Sequence, residues 1–285
     1  MTKVTLDTLN AETADAFVAA LGLIFEDAPW VAAAAAAQRP FPTLAALHEA
    51  MMAALATAPP TEQLAFLRGH PELAGQAAQA AALGQASTAE QHGLRLAEPG
   101  VDSAEITRLN QEYGARFGYP FILCVRRYSR PSVLAAFRRR VTQTPEHEWS
   151  AAMQEIGFIT RLRLVDRVEG PGAPPVHGRI TTHVLDTARG RPAPGVKIML
   201  RDAAGSILAE TESNADGRTD QPLYAGAPLR IGPYELTFHL GQLFEAFGGG
   251  FFITVPIHFS VTEPEGHHHV PLVVSPGAYS TYRGS

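Results

Sequence analysis

Glu169-Gly170-Pro171-Gly172-Ala173-Pro174-Pro175 is the stretch on which the reading of this 285-residue chain turns. Glycine and proline at this density sustain neither helix nor sheet, and the composition reads as a linker. The text differs on its two sides. Before it, Ala, Leu, Gln, Glu and Arg dominate, and these favour helix. Ala11–Leu21, Leu44–Ala56 and Pro131–Val141 carry apolar residues at three- and four-residue spacing. Pro29, Pro40, Pro42, Pro59-Pro60, Pro99-Gly100 and Pro145 punctuate them. After it, short β-branched and aromatic segments (Arg179–Val184, Val196–Arg201, Tyr234–His239, Phe251–Val261, His269–Val274) alternate with Gly-rich turns. The expectation is two domains, an all-α helical bundle over 1–166 and an all-β, antiparallel sandwich over 177–285, joined by a linker at 167–176. One short helix is expected over Leu240–Ala246.

Composition narrows the function. The net charge is −5. Up to Val165 there are 14 basic and 16 acidic residues, and beyond it 9 and 12, so neither part is a polyanion binder by composition. No nucleic-acid partner is expected. No apolar run reaches the ~18–20 residues needed to span a bilayer, so no membrane partner is expected either. No secretory signal or peroxisomal address is read at the termini, and the expected location is cytoplasmic. A single cysteine, Cys124, leaves no internal disulfide framework. In the apolar run Phe121–Val125 it reads as a packed core thiol.

Three blocks carry chemistry in the second part. Thr181-Thr182-His183-Val184-Leu185-Asp186-Thr187 is the first, Asn214-Ala215-Asp216-Gly217-Arg218 the second, and His267-His268-His269-Val270-Pro271 the third, running on to Tyr282-Arg283-Gly284-Ser285. Strand alternation puts His267 and His269 on one face and His268 on the other. At most two of the three histidines then join one site directly. Spacing alone leaves three readings open: a solvated His-rich turn, an acid–base pair, or a zinc site with His183 as a third ligand.

These blocks, in this order, resemble the transthyretin-related 5-hydroxyisourate hydrolases over residues 177–285. The resemblance implies a transthyretin-like sandwich in a homotetramer, with sites at subunit interfaces. It implies a metal-free, cofactor-free site built from His183, Arg218, His269 and Ser285, with substrate contacts from Tyr282, Arg283 and Gly284. His268 stands where the family usually has tyrosine, and alternation turns it away from the site.

In the first part, Gly69-His70-Pro71-Glu72-Leu73-Ala74-Gly75 is the sharpest block. Pro71 fits a first helical turn, so His70 is expected at a helix mouth, where the dipole disfavours the charged ring. Ser87-Thr88-Ala89-Glu90-Gln91 has the capping-box pattern. Phe117-Gly118-Tyr119-Pro120-Phe121-Ile122 reads as a helix end with an abrupt turn. The arginines of Arg161-Leu162-Arg163 read most simply as a solvated helix face. With Phe25–Trp30 and Arg39-Pro40-Phe41, these blocks resemble the 2-oxo-4-hydroxy-4-carboxy-5-ureidoimidazoline (OHCU) decarboxylases over residues 6–166. The resemblance implies His70 as acid–base group. It implies substrate contacts from Pro71, Ser87, Glu90, Gln91, Phe121, Ile122 and Arg163, again without cofactor.

The product of the first implied reaction is the substrate of the second. The two resemblances together imply urate degradation to (S)-allantoin, by hydrolysis of 5-hydroxyisourate and then decarboxylation of OHCU. A ligand carrier with a helical partner domain, and a zinc hydrolase using the histidine cluster, are the alternatives.

Overall fold

Four threonines start helices in the first part of the chain. Thr5, Thr13, Thr43 and Thr144 each sit extended at an N-cap, and each hydroxyl accepts from the backbone N–H three residues on. Prolines take the first helical position of two other starts, Pro29 and Pro60, and Pro145 does so directly after the Thr144 cap, where no N–H is needed. The computed structural model describes residues 3–26, 28–73 and 101–284. Among them lie eight α-helices: α1 Leu6–Ala11, α2 Ala14–Leu21, α3 Pro29–Ala36, α4 Leu44–Thr57, α5 Pro60–Arg68, α6 Val101–Phe117, α7 Arg130–Arg140 and α8 Pro145–Arg167. None is long and apolar enough to cross a membrane.

The chain divides into two compact units. One is Met1–Arg126 with Ser132–Pro174, and the other is Arg127–Pro131 with Pro175–Ser285. The first is helical but not purely so. Strand β1 (Val4–Thr5) pairs in parallel with β2 (Val168–Glu169), tying its beginning to its end. The stretch read as linker is partly built into this unit. Pro171 and Gly172 offer their carbonyls to the N–H groups of Leu44 and Ala45 at 3.0 Å each, capping α4. A Cβ on Gly172 would stand 2.6 Å from Thr43 Cγ2 at a φ of +59°, so only glycine fits there.

A buried polar knot organises the interior of this unit. The Tyr113 hydroxyl donates to Glu148. Arg140 donates to the same carboxylate through Nε and Nη2, at 3.0 and 2.6 Å. Arg140 Nη1 donates to the Ile122 carbonyl at 2.8 Å, and the guanidinium lies 4.5 Å over the Phe121 ring. Phe121 stacks on Phe137 at 3.9 Å. The turn after α6 is therefore held by charge as well as by packing. Cys124 is buried in this core, as expected, and its N–H donates to Glu155.

The second unit is a transthyretin-like arrangement of β-sheets. Its strands are β3 Arg179–Thr181, β4 Val184–Asp186, β5 Arg191–Pro192, β6 Lys197–Arg201, β7 Ile207–Glu212, β8 Gly232–His239, β9 Thr254–Val261, β10 His267–His269, β11 Leu272–Ser275 and β12 Ala278–Thr281. One sheet runs β7-β6-β8-β9 and another β12-β11-β4-β5, with β10-β3 as a separate pair. The sandwich is neither wholly antiparallel nor wholly β. Strands β3·β10 and β4·β11 pair in parallel, and Glu245–Phe247 forms a 3-10 turn where the short helix was expected. Ile180, Val184, Ile198, Leu200, Leu236, Phe238, Val255, Leu272 and Val274 fill the core between the sheets.

The Arg140–Glu148 pair is nearly sealed, with 5% and 0% side-chain exposure. Removing one partner strands the other charge. Arg140→Ala should cost the first unit about 3–5 kcal/mol in urea unfolding. Arg108→Ala, which breaks the exposed Arg108–Glu112 pair on α6, should cost less than about 1 kcal/mol.

Candidate active sites

The sheet that carries the histidines is interrupted in two strands at once. β3 and β4 are separated by Thr182–His183, and β10 and β11 by Val270–Pro271. Pro271 has no N–H to donate. Val270 N–H still reaches the Thr181 carbonyl, and Leu272 N–H the His183 carbonyl. Val184 N–H, on the opposite edge of its strand, goes to the carbonyl of Gly217 at 2.8 Å. Gly217 enters with a φ of +70°, and a Cβ there would lie 2.3 Å from the Val184 carbonyl oxygen and 3.2 Å from His183 Cδ2. The Asn214 carboxamide holds this turn, accepting from the N–H groups of Asp216 and Arg218. Arg218 thus stands exposed at the turn's end, unpaired with any carboxylate among the described residues.

The result is a cleft of about 480 Å³ in the second unit. Its walls include Thr181, Arg218, His267, His269, Tyr282 and Gly284. Thr181 Oγ1 lies 2.7 Å from His267 Nε2 and 2.8 Å from His269 Nδ1, so one hydroxyl joins the two rings. His268 points the other way, buried, with Nε2 2.9 Å from the Glu263 carbonyl. Gly284 pairs with His269 through N–H to carbonyl at 2.9 Å. His183 sits behind the wall, and its buried Nε2 has no hydrogen-bond partner among the described residues. Burial, and then the Arg218 charge, push its imidazole below the ordinary value, against the pull of Asp216. Burial does the same to His269, followed by Arg218 and the neighbouring rings, with the Thr181 backbone opposing. His267 is lowered by burial and then by Arg179 and His268. The cleft holds neutral imidazoles beside a cation that has no carboxylate partner among the described residues.

A second cleft, of about 380 Å³, lies in the first unit. Glu26, Trp30, Glu62, Phe66 and His70 are among its walls. His70 is not at a helix mouth in the described residues. It follows Gly69, the C-cap of α5, and its N–H bonds back to Leu67. Among the described residues the nearest helix end is the carbonyl end of α5, of the opposite polarity to the one expected. The Phe66 carbonyl, 3.0 Å from Nδ1, accepts its proton, and Phe66 meets the ring edge-on at 4.8 Å. Arg163 is not on a solvated face. It is buried, with Nη2 3.2 Å from Glu26. Glu26 turns toward it with a φ of +43°, uncommon for a residue with a side chain.

Family models for "OHCU decarboxylase" and the "HIUase/Transthyretin family" match residues 10–165 and 180–284. A 5-hydroxyisourate hydrolase of Deinococcus radiodurans is 47% identical over 116 residues, 38% of this chain and 98% of the relative. An OHCU decarboxylase of Haloferax volcanii is 37% identical over 168 residues, 59% of this chain and 98% of the relative. The chain belongs to both families. A solved (S)-allantoin synthase is similar over 99% of this chain and 100% of its own, with 30% identity and a TM-score of 0.60.

Against these two families, the expected site residues fall into groups. Arg218, His269, Tyr282 and Gly284 line the hydrolase-type cleft, and His183 backs it. Arg283 does not line it; the side chain faces Glu263 at 3.9 Å on the surface. His70 lines the decarboxylase-type cleft, with Pro71 next in the chain, and Arg163 reaches that wall through Glu26. Phe121 and Ile122 are core residues of the α6–α7 turn and do not line the described cleft. Ser87, Glu90, Gln91 and Ser285 lie outside the described residues. Cleft residues that were not among those expected include Glu26, Thr181, Arg179 and His267. The alternation of the histidine block carried the signal for His267. Glu26 gave none beyond its place in Phe25–Trp30.

The Gly284 contact yields a test. A Cβ there would come within 2.4 Å of His269 Cδ2, so either ring or tail must move. Gly284→Ala should lower the activity of this cleft by at least about tenfold, or ~1.4 kcal/mol, with little change in melting temperature. Full activity in steady-state assays would remove the tail from the site.

Proposed function

We propose that this chain catalyses two consecutive steps of urate degradation. The second unit hydrolyses 5-hydroxyisourate to OHCU, and the first decarboxylates OHCU to (S)-allantoin. The observation that carries this reading is the similarity to an (S)-allantoin synthase along the whole chain, with a histidine-walled cleft in each matched half.

Ring opening needs a base for water and a donor for the charge that develops on the carbonyl oxygen. His183 supplies proton chemistry and His269 faces the substrate across the cleft, both from rings kept neutral. Arg218, with its fork of donors unengaged, anchors a planar anionic substrate. Tyr282, Gly284 and Ser285 complete the pocket. Among the described residues, no three His, Cys, Asp or Glu side chains are grouped to hold a metal ion. The reading uses no cofactor.

Decarboxylation makes this a lyase as well as a hydrolase. Loss of carbon dioxide leaves electron density beside the imine and carbonyl of the substrate's own ring, so the protein supplies orientation and one proton. His70 keeps its Nδ1 proton on the Phe66 carbonyl, and the proton that moves is carried on Nε2. Delivery to one face gives the S product. Pro71, Ser87, Glu90, Gln91 and Arg163 hold the substrate. The assembly is a cytoplasmic homotetramer through the second unit. Strands β9 and β12 are among the edge strands of the two four-stranded sheets, and such edges can pair with another copy.

The deciding experiment adds freshly generated 5-hydroxyisourate to purified protein and follows absorbance and circular dichroism. Fast ring opening followed by an optically active product is expected. A carrier would return the substrate unchanged. His70→Ala should abolish formation of the optically active product and leave ring opening at the wild-type rate. Near-normal (S)-allantoin formation in that variant would sink the assignment. Light scattering at micromolar concentration should give the mass of four chains, and a monomer mass would refute the tetramer.

A further inference from the structure

The geometry points to a directed line of hydrogen bonds, Arg179 to His267 to Thr181 to His269, that fixes His269 as the Nε2–H tautomer and makes it the hydrogen-bond donor of the hydrolase cleft. The direction is set at the Arg179 end. A guanidinium has five donors and no acceptor. Arg179 Nη2 lies 3.4 Å from His267 Nδ1 in hydrogen-bonding geometry, so Nδ1 presents its lone pair. The proton of a neutral His267 is then on Nε2, and it is donated to Thr181 Oγ1 at 2.7 Å. A hydroxyl has one proton to give. Having accepted from His267, Thr181 gives that proton to His269 Nδ1 at 2.8 Å. The Thr181 carbonyl takes the Val270 N–H at 3.0 Å and keeps a second lone pair, but the group at hydrogen-bond distance from His269 Nδ1 is the hydroxyl. With Nδ1 accepting, the single proton of a neutral His269 is on Nε2. That atom has no partner among the described residues, and the ring lines the cleft.

The opposite direction fails at the same end. If His269 donated to Thr181 and Thr181 to His267, His267 would carry its proton on Nδ1. Two N–H groups would then face each other across 3.4 Å. The line also requires neutral rings, and burial with the charges of Arg218 and Arg179 holds both imidazoles below their ordinary range. His268 is outside this system, committed to the Glu263 carbonyl.

A neutral imidazole N–H is an effective electrophile toward a developing oxyanion. Water adds to the substrate carbonyl carbon and the ring C–N bond breaks. One water proton ends on the leaving nitrogen, and the other departs as the new carboxyl ionises. His269 keeps its own proton throughout and contributes a hydrogen bond that strengthens as charge develops. Arg179, His267 and Thr181 are positioning residues that act through it. What the donor does rests on the hydrolase reading; the tautomer does not.

The test uses the full chain with ring-15N histidine, whose tautomers are read by long-range proton–nitrogen correlation. Wild-type protein should show His267 and His269 both protonated at Nε2. Thr181→Val keeps the shape and removes the hydroxyl. It should release the His269 tautomer and lower kcat for 5-hydroxyisourate by at least about tenfold with KM within about twofold. Thr181→Ser should restore the tautomer and most of the rate. Arg179→Met, at an exposed position, should leave the fold intact and give a mixture of tautomers at His269. A wild-type His269 protonated at Nδ1, or a folded Thr181→Val protein with full kcat, would overturn the proposal. If the tautomers are as stated and 5-hydroxyisourate is not hydrolysed, the hydrolase reading fails and the hydrogen-bond line stands.

Discussion

The hydrolase cleft depends on one backbone contact, the Val184 N–H on the Gly217 carbonyl at 2.8 Å. Along a strand, successive residues turn their N–H and carbonyl to opposite edges. His183 gives its carbonyl to Leu272 N–H on β11, so Val184 faces the other edge. There it meets the turn between β7 and β8, which belong to the other sheet. Only a residue without Cβ, in a left-handed conformation, can come that close. Arg218 is the next residue, so its charge arrives beside the imidazoles with no carboxylate partner among the described residues. The interruption at Val270–Pro271 separates β10 from β11 and leaves His267 and His269 on a short strand of their own, both within reach of Thr181.

The helical unit achieves order by a different route. Its turn after α6 contains glycine and proline and could take many conformations. Arg140 ends that freedom by spending one donor on the Ile122 carbonyl and two on Glu148. Burial opposes a charge on Arg140, and the Glu148 hydrogen bonds and charge overcome it. A pair of this kind adds little stability relative to an apolar replacement, but it admits one arrangement, because any other leaves a charge unmatched. The Glu26–Arg163 pair follows the same logic at the edge of the His70 cleft, with a strained backbone at Glu26 as the cost of aiming the carboxylate.

The sequence showed the boundary between helical and sheet-rich parts, the Thr and Pro helix starts and the divided faces of the histidine block, because each is a local property. It did not show that β3 and β4 run parallel to β10 and β11, since partners almost ninety residues apart leave no local trace. The reading of Arg161-Leu162-Arg163 failed for a related reason. Two arginines flanking a leucine are solvated on most helices, and Arg163 is buried only because Glu26, distant in sequence, meets it. For His70, Pro71 was the conspicuous signal, of a helix start, while Gly69, which caps the end of α5, was the less conspicuous one. Arg283 alternates with Tyr282 and Gly284, so a strand-like tail that turns those two toward the cleft turns Arg283 outward.

The two clefts differ in electrostatic sign, and the difference follows the chemistry proposed for each. Around the hydrolase cleft, Arg218 and Arg179 discourage protonation of the rings, and hydrolysis asks for a lone pair to accept a water proton and an N–H to steady an oxyanion. A protonated ring could offer the second and not the first. Around His70, the described wall carries the carboxylate of Glu62 and that of Glu26, which Arg163 pairs, and the ring meets the carbonyl end of α5. That setting attracts positive charge. Decarboxylation creates a carbanion equivalent that must be quenched, and the group required is a proton donor. Two histidine sites on one chain are thus given different surroundings by ordinary local means, a glycine turn that delivers an arginine in one and a helix that ends beside the ring in the other.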